Sequence, residues 1–167
     1  MENFFATGNY YVRECLSLKY FPRLNAEENH EDSILAGEQQ DLQQSYLIAK
    51  DVFAKMERGK IKFVIIGLAP LKTIDEKLLG DYIKLCMDND SKPFVVVFPV
   101  KQSLRKTFKA DDLKTFRDEI DGVVKKYKAA FIDLLDVKLN DKRFTGNEHL
   151  NPDGAVLVST LLGARIY

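Results

Sequence analysis

Three short hydrophobic runs constrain this chain more than any other feature. Residues 61–69 read IKFVIIGLA, residues 93–100 read PFVVVFPV and residues 129–137 read AAFIDLLDV. Each is rich in branched or aromatic residues and is bounded by charge, glycine or proline. Near-continuous apolarity over so short a span suits strands covered on both faces. Strands of that kind belong to a parallel sheet, which needs a crossover segment between successive strands.

The intervening residues supply such crossovers. Residues 73–87 carry Ile74, Leu78, Leu79, Tyr82 and Ile83 near helical spacing. Residues 110–127 place Leu113, Phe116, Ile120, Val123, Val124 and Tyr127 on one broad helical face. Asp111 and Asp112 open that segment and Lys125 and Lys126 close it, as the helix dipole favours. Residues 38–58 read as another amphipathic helix ending at Gly59. Asn151 is a plausible N-cap and Pro152 a plausible first residue of a last helix over 152–162. Residues 4–7 read as the first strand, residues 10–18 as a short helix, and residues 33–36 (SILA) as a short strand. The expectation is a single domain over residues 1–167. It is an α/β fold, a three-layer α/β/α sandwich with about five parallel strands in the flavodoxin-like order 2-1-3-4-5.

Composition narrows the function classes. Lys and Arg number 25 and Asp and Glu number 25, so the formal net charge is zero. That balance does not suit a basic nucleic-acid-binding domain or a polybasic membrane binder. Cys15 and Cys86 stand in no metal or redox spacing, and His30 and His149 are too few for a multi-histidine centre. Neither GxGxxG nor a Walker A loop is present, so no cofactor is implied. No integral membrane segment and no signal peptide stands before the first hydrophobic segment. The expectation is a cytoplasmic protein, or a surface-associated piece of a longer one. The last residues, LLGARIY, are apolar enough to pack on a neighbouring element, a second copy or a partner protein.

Ligands of such sheets bind beyond the carboxyl ends of the strands. Four segments are expected there: residues 6–11 (ATGNYY), 37–40 (GEQQ), 67–70 (GLAP) and 144–154 (FTGNEHLNPDG). His149 lies in a polar loop before a helix, where it can act as a general base; a surface or capping histidine is the plainer alternative. Asp133 and Asp136 end a strand and either line the site or serve as loop caps. Tyr10 and Tyr11 offer hydroxyls or pack on the sheet. His30, flanked by acids, reads as solvated.

The HLNPDG core of residues 144–154 resembles the last block of the SGNH, or GDSL-like, hydrolase superfamily. FATGNYYV at residues 5–12 resembles its first block, and Gly37 the glycine of its second. Residues 45–70 resemble bacterial DltD-like and polysaccharide acyl-modification proteins. In that family a serine attacks an ester carbonyl, a histidine takes its proton, and an aspartate three residues earlier orients the histidine. The resemblance makes His149 the base and Gly8, Asn9 and Gly37 the oxyanion or substrate-binding positions. It puts Tyr10 where the serine belongs and Gly146 where the orienting aspartate belongs. The third-block asparagine has no match in GLAP. The resemblance therefore implies a domain without classical serine esterase activity that binds or modifies acylated carbohydrate or cell-envelope substrates. A second reading is an active ester hydrolase or O-acyltransferase with His149 as base in a rearranged site, its nucleophile drawn from Ser33, Ser45, Ser103 or Tyr10. A third is a non-catalytic protein-interaction domain.

Overall fold

The central strands are buried on both sides, and the rest of the molecule follows from covering them. The computed structural model describes residues 2–6, 34–71 and 73–166. Strand β1 (Glu2–Ala6) leads to helix α1 (Ile34–Lys55), then β2 (Ile61–Leu68), α2 (Glu76–Asp88) and β3 (Lys92–Val97). After these come a short helix α3 (Gln102–Arg105), α4 (Ala110–Tyr127) and β4 (Ala130–Asp133). The chain closes with a 3-10 turn at Asp141–Arg143, β5 (Phe144–Thr145), β6 (His149–Leu150) and α5 (Pro152–Ile166).

The first four strands form one parallel sheet in the order β1-β2-β3-β4. Because the order never reverses, right-handed crossovers put every connecting helix on the same face. Helices α1, α2 and α4 accordingly share one core with Ile61, Val64, Ile66, Val95 and Val97, through Ala49, Phe53, Leu79, Tyr82, Ile83, Phe116 and Ile120. The alternate residues Phe63, Ile65, Phe94, Val96, Ile132 and Leu134 point to the opposite face, where Val158 and Leu162 of α5 pack with Leu139 and Phe144. Each fully buried aliphatic side chain contributes about 1.5–3 kcal/mol, so neither face can be left bare.

Local chemistry fixes the helix ends. The Asp75 carboxylate accepts the Leu78 amide at 2.9 Å and caps α2. Lys128 ends α4 in the left-handed region, φ 54°, and the Ala129 amide turns back to the Val124 carbonyl. At α5 the Asn151 side chain accepts the Gly154 amide at 2.9 Å, with Pro152 as first helical residue. Asn151 also donates its amide to the Arg143 carbonyl and its side-chain amide to the Lys142 carbonyl. One residue thus both starts α5 and ties it to the 3-10 turn.

The expected five-stranded sheet in the order 2-1-3-4-5 is not formed. Residues 34–36 are the first turn of α1, not a strand. Ile34 and Leu35 fall in phase with Leu42, Tyr46, Ala49 and Phe53, and Leu, Ala, Glu and Gln fill the turns between them. These are strong helix formers, and the three-residue apolar run over 34–36 joins the longer helical period beside it. Strands β5 and β6 form a separate antiparallel pair, with Phe144 opposite Leu150 and Thr145 opposite His149. Two sheets, one of four parallel strands and one of two antiparallel strands, replace the single continuous sheet that the SGNH/GDSL resemblance implied. The helix expected over 10–18 lies outside the described residues.

Two core positions generate predictions. Tyr82 is fully buried, edge-on to Tyr46 at 5.7 Å, and its hydroxyl has no hydrogen-bond partner among the described residues. Burial, with a smaller contribution from Cys86, pushes its pKa well up. An orphaned buried hydroxyl carries its full desolvation cost, so Tyr82→Phe should raise unfolding stability by about 1 kcal/mol, read from the denaturant midpoint. Gly154 lies against the Arg143 backbone: an added Cβ would sit 2.3 Å from that carbonyl oxygen. Gly154→Ala should lower stability by about 1–3 kcal/mol in the same measurement, because backbone cannot step aside cheaply.

Candidate functional site

The carboxyl edge of the sheet is where the loops after β2, β3 and β4 converge, and two of the segments expected there are found there. Residues 67–70 leave the end of β2, and the β5–β6 hairpin is tied to the end of β3. The Lys101 amide donates to the Asn147 carbonyl at 2.9 Å. The Gln102 amide reaches the Asp141 carboxylate of the 3-10 turn at 3.3 Å. His149 is therefore held at this edge, on β6, with its side chain exposed. Among the described residues no group hydrogen-bonds its imidazole. Glu148 stands beside it in the hairpin, half-buried. Ser45 is buried in α1 and Ser103 is exposed in α3, and neither bonds His149.

Gly146 opens the hairpin turn with φ 79°, and nothing lies within 4 Å of an added Cβ. The left-handed backbone, not crowding, is what calls for glycine there. Gly37 lies in the first turn of α1, not in a loop beyond a strand. Gly8, Asn9 and Tyr10 lie outside the described residues, as do His30 and Ser33.

The densest polar chemistry at this edge is a network of arginines and aspartates. Arg117, projecting from α4, gives Nε to Asp133 Oδ2 at 2.6 Å and Nη2 to Asp136 Oδ2 at 2.7 Å. Arg105, at the end of α3, gives both Nε and Nη2 to Asp136 Oδ1, the former at 2.9 Å. Asp133 is oriented by the Leu135 amide, which it accepts at 2.8 Å through Oδ1. Arg165 of α5 reaches the Asp133 carbonyl at 3.2 Å. Hydrogen bonds from Arg105 and then Arg117 hold the Asp136 carboxyl below the usual aspartate range. Burial alone would lower the Arg117 pKa, but its bonds to Asp136 and Asp133 more than offset this and raise it.

The two aspartates were visible in sequence as strand-end residues. The arginines were not, because their partners lie 31 and 19 positions away from Arg105 and Arg117. Among the described residues no group of three or more His, Cys, Asp or Glu is placed to hold a metal ion. No helix among them is long and apolar enough to cross a membrane.

The network sets an acid dependence. A carboxyl whose pKa is lowered on folding stabilises the fold above its unfolded value, near 3.8, and loses that contribution as pH falls through its folded value. Asp136 is largely exposed, so screening limits the effect to below about 1 kcal/mol. Asp136→Asn should flatten the loss of stability below about pH 4. Unfolding midpoints from pH 7 to pH 2.5 at fixed ionic strength test this; parallel curves for the two proteins would show that the pairing adds nothing.

Compared with known proteins, the chain matches no family model and no curated protein. With the sheet topology also different, the SGNH/GDSL-like and DltD-like resemblance is not upheld. The hydrolase, acyltransferase and acylated-carbohydrate expectations rested on that resemblance, and among the described residues no nucleophile pairs with His149 to carry them.

Proposed function

We propose that this domain works by self-association through the outward face of α5. The observation that carries the reading is the absence of charge on that face between Asp153 and Arg165. No charged residue occurs from Gly154 to Ala164. Val156 is 61% exposed and Leu157 40% exposed, and Ser159, Thr160 and Ala164 are exposed beside them. The Thr160 hydroxyl donates to the Val156 carbonyl at 2.9 Å, so it makes no demand on solvent.

The other long helices differ. Their outer faces carry ion pairs at i,i+4: Asp51–Lys55 on α1, Lys77–Asp81 on α2, Lys114–Asp118 and Asp121–Lys125 on α4. Such pairs add little energy but keep a face wet. A helix apolar on both sides is one whose outer side is also covered.

A second copy of the chain fits this face better than an unrelated partner because the face is self-complementary. Val156 and Ala164, and likewise Leu157 and Gly163, lie symmetrically about Thr160. In an antiparallel pair of α5 helices related by a two-fold axis at Thr160, each bulky residue meets a small one. Gly163 has nothing within 4 Å of an added Cβ, which leaves a recess for the partner's leucine. Isologous contacts of this kind close on themselves and stop at a dimer.

The 15 residues of α5 span roughly 22 Å, so the stripe buries only a few hundred Å² per protomer, below the roughly 800 Å² of a standard interface. The dimer should be weak and concentration-dependent. Sedimentation velocity from about 5 to 500 μM should show a rising average mass. Val156→Glu, which adds charge, and Gly163→Leu, which fills the recess, should each hold the protein monomeric with unchanged circular dichroism. A wild-type mass that stays at one protomer throughout, or variants that associate as the wild type does, would refute the reading.

A further inference from the structure

The two arginine pairs to Asp136 reverse the exposure order of the i,i+4 pairs on the helices. In the pairs on α1, α2 and α4 the cation is the more solvent-exposed member, as with Lys77 at 86% against Asp81 at 42%. At the carboxyl edge the order reverses: Arg105 is 23% and Arg117 33% exposed, while the Asp136 they hold is 60% exposed. The guanidiniums form the walls, and the carboxylate approaches them from the solvent side.

Arg117 is also positioned independently of Asp136, and so is the backbone of the helix that carries Arg105. Asp133 grips Arg117 through Nε, and Asp133 is itself fixed by the Leu135 amide. Arg105 closes a helix that is anchored through Lys101 and Gln102 to the hairpin and the 3-10 turn. Asp136, by contrast, sits in the turn after β4 and among the described residues bonds only these two arginines through its side chain. If Asp136 swings out, Arg105 Nε and Nη2 and Arg117 Nη2 are left converging on one solvent-facing point. Guanidinium forks of this kind suit oxyanions.

We propose that Arg105 and Arg117 form a binding site for a phosphate-class oxyanion, with Asp136 as its built-in occupant. A phosphate-class dianion is preferred over a carboxylate for a physical reason. The tethered Asp136 carboxylate already fills the fork at a high effective concentration, on the order of millimolar or more. A free carboxylate would exchange like for like. A phosphate brings up to two charges and three acceptor oxygens for the three N–H groups, and so can displace the plug. The fold places this site at the sheet edge where ligands of parallel α/β domains bind.

The test is isothermal titration of the whole chain with inorganic phosphate, at constant ionic strength set with chloride. Asp136→Asn removes the competing charge and keeps the side-chain volume. It should bind phosphate at least ten-fold more tightly than the wild type. Replacing Arg105 and Arg117 by Gln in the Asp136→Asn background should abolish binding. Circular dichroism of each variant establishes that it is folded, and Arg105→Gln alone, on a short surface helix, serves if the triple variant is not. Phosphoserine titrated in parallel distinguishes an attached phosphoryl group from free phosphate, and tighter binding of either by Asp136→Asn supports the fork. Equal affinity of wild type and Asp136→Asn, no binding by either, or binding that survives loss of the arginines would overturn it.

Discussion

Burial of β2 and β3 on both faces is the constraint on which the rest of the structure depends. Val64, Ile66, Val95 and Val97 face one way, Ile65, Phe94 and Val96 the other, and all are buried. A strand pair with no wet side requires two covering layers. Right-handed crossovers supply the first, since α1, α2 and α4 must fall on one side of a sheet whose order never reverses. The second layer cannot come from a crossover. Among the described helices it comes from α5, which docks through Val158 and Leu162.

That arrangement gives α5 two jobs. Its inner side seals the core, and its start is fixed by Asn151 and by the close approach of Gly154 to the Arg143 carbonyl. Its outer side, free of charge over residues 154–164, has no structural task within the described chain, and we read it as the contact between copies. The polar chemistry collects elsewhere, beyond β3 and β4, where arginines from α3 and α4 converge on a turn aspartate. The two features differ in chemistry. One is apolar and self-complementary, the other charged and ready for an anion.

Much of the fold was legible in the sequence where several local signals agreed. The bounds of α4 at residues 110–127 follow from paired aspartates at the start, paired lysines at the end and an unbroken apolar face between. The start of α5 follows from Asn151 and Pro152. The SILA segment misled because three apolar residues carry no period of their own, and the helix that begins at Ile34 is recognisable only over its full length. Family-like motifs misled for a related reason: HLNPDG marks a hairpin leading into a capped helix, a local geometry that does not require one particular sheet. Asp133 and Asp136 could be placed at the edge from sequence. Their arginine partners could not, because only the fold brings such distant residues together.

The central claim is that α5 meets α5 of a second copy about Thr160. Cross-linking with a short bis-maleimide tests it most directly, using a single cysteine introduced as Thr160→Cys in a Cys15→Ser background, with Asp118→Cys on the outer face of α4 as control. Cys86 is buried, and its thiol pKa is pushed up to about 12 by burial, so it does not compete. The account predicts a covalent dimer from the position at 160 and none from the position at 118. No dimer at 160, or equal yields at both positions, would contradict it.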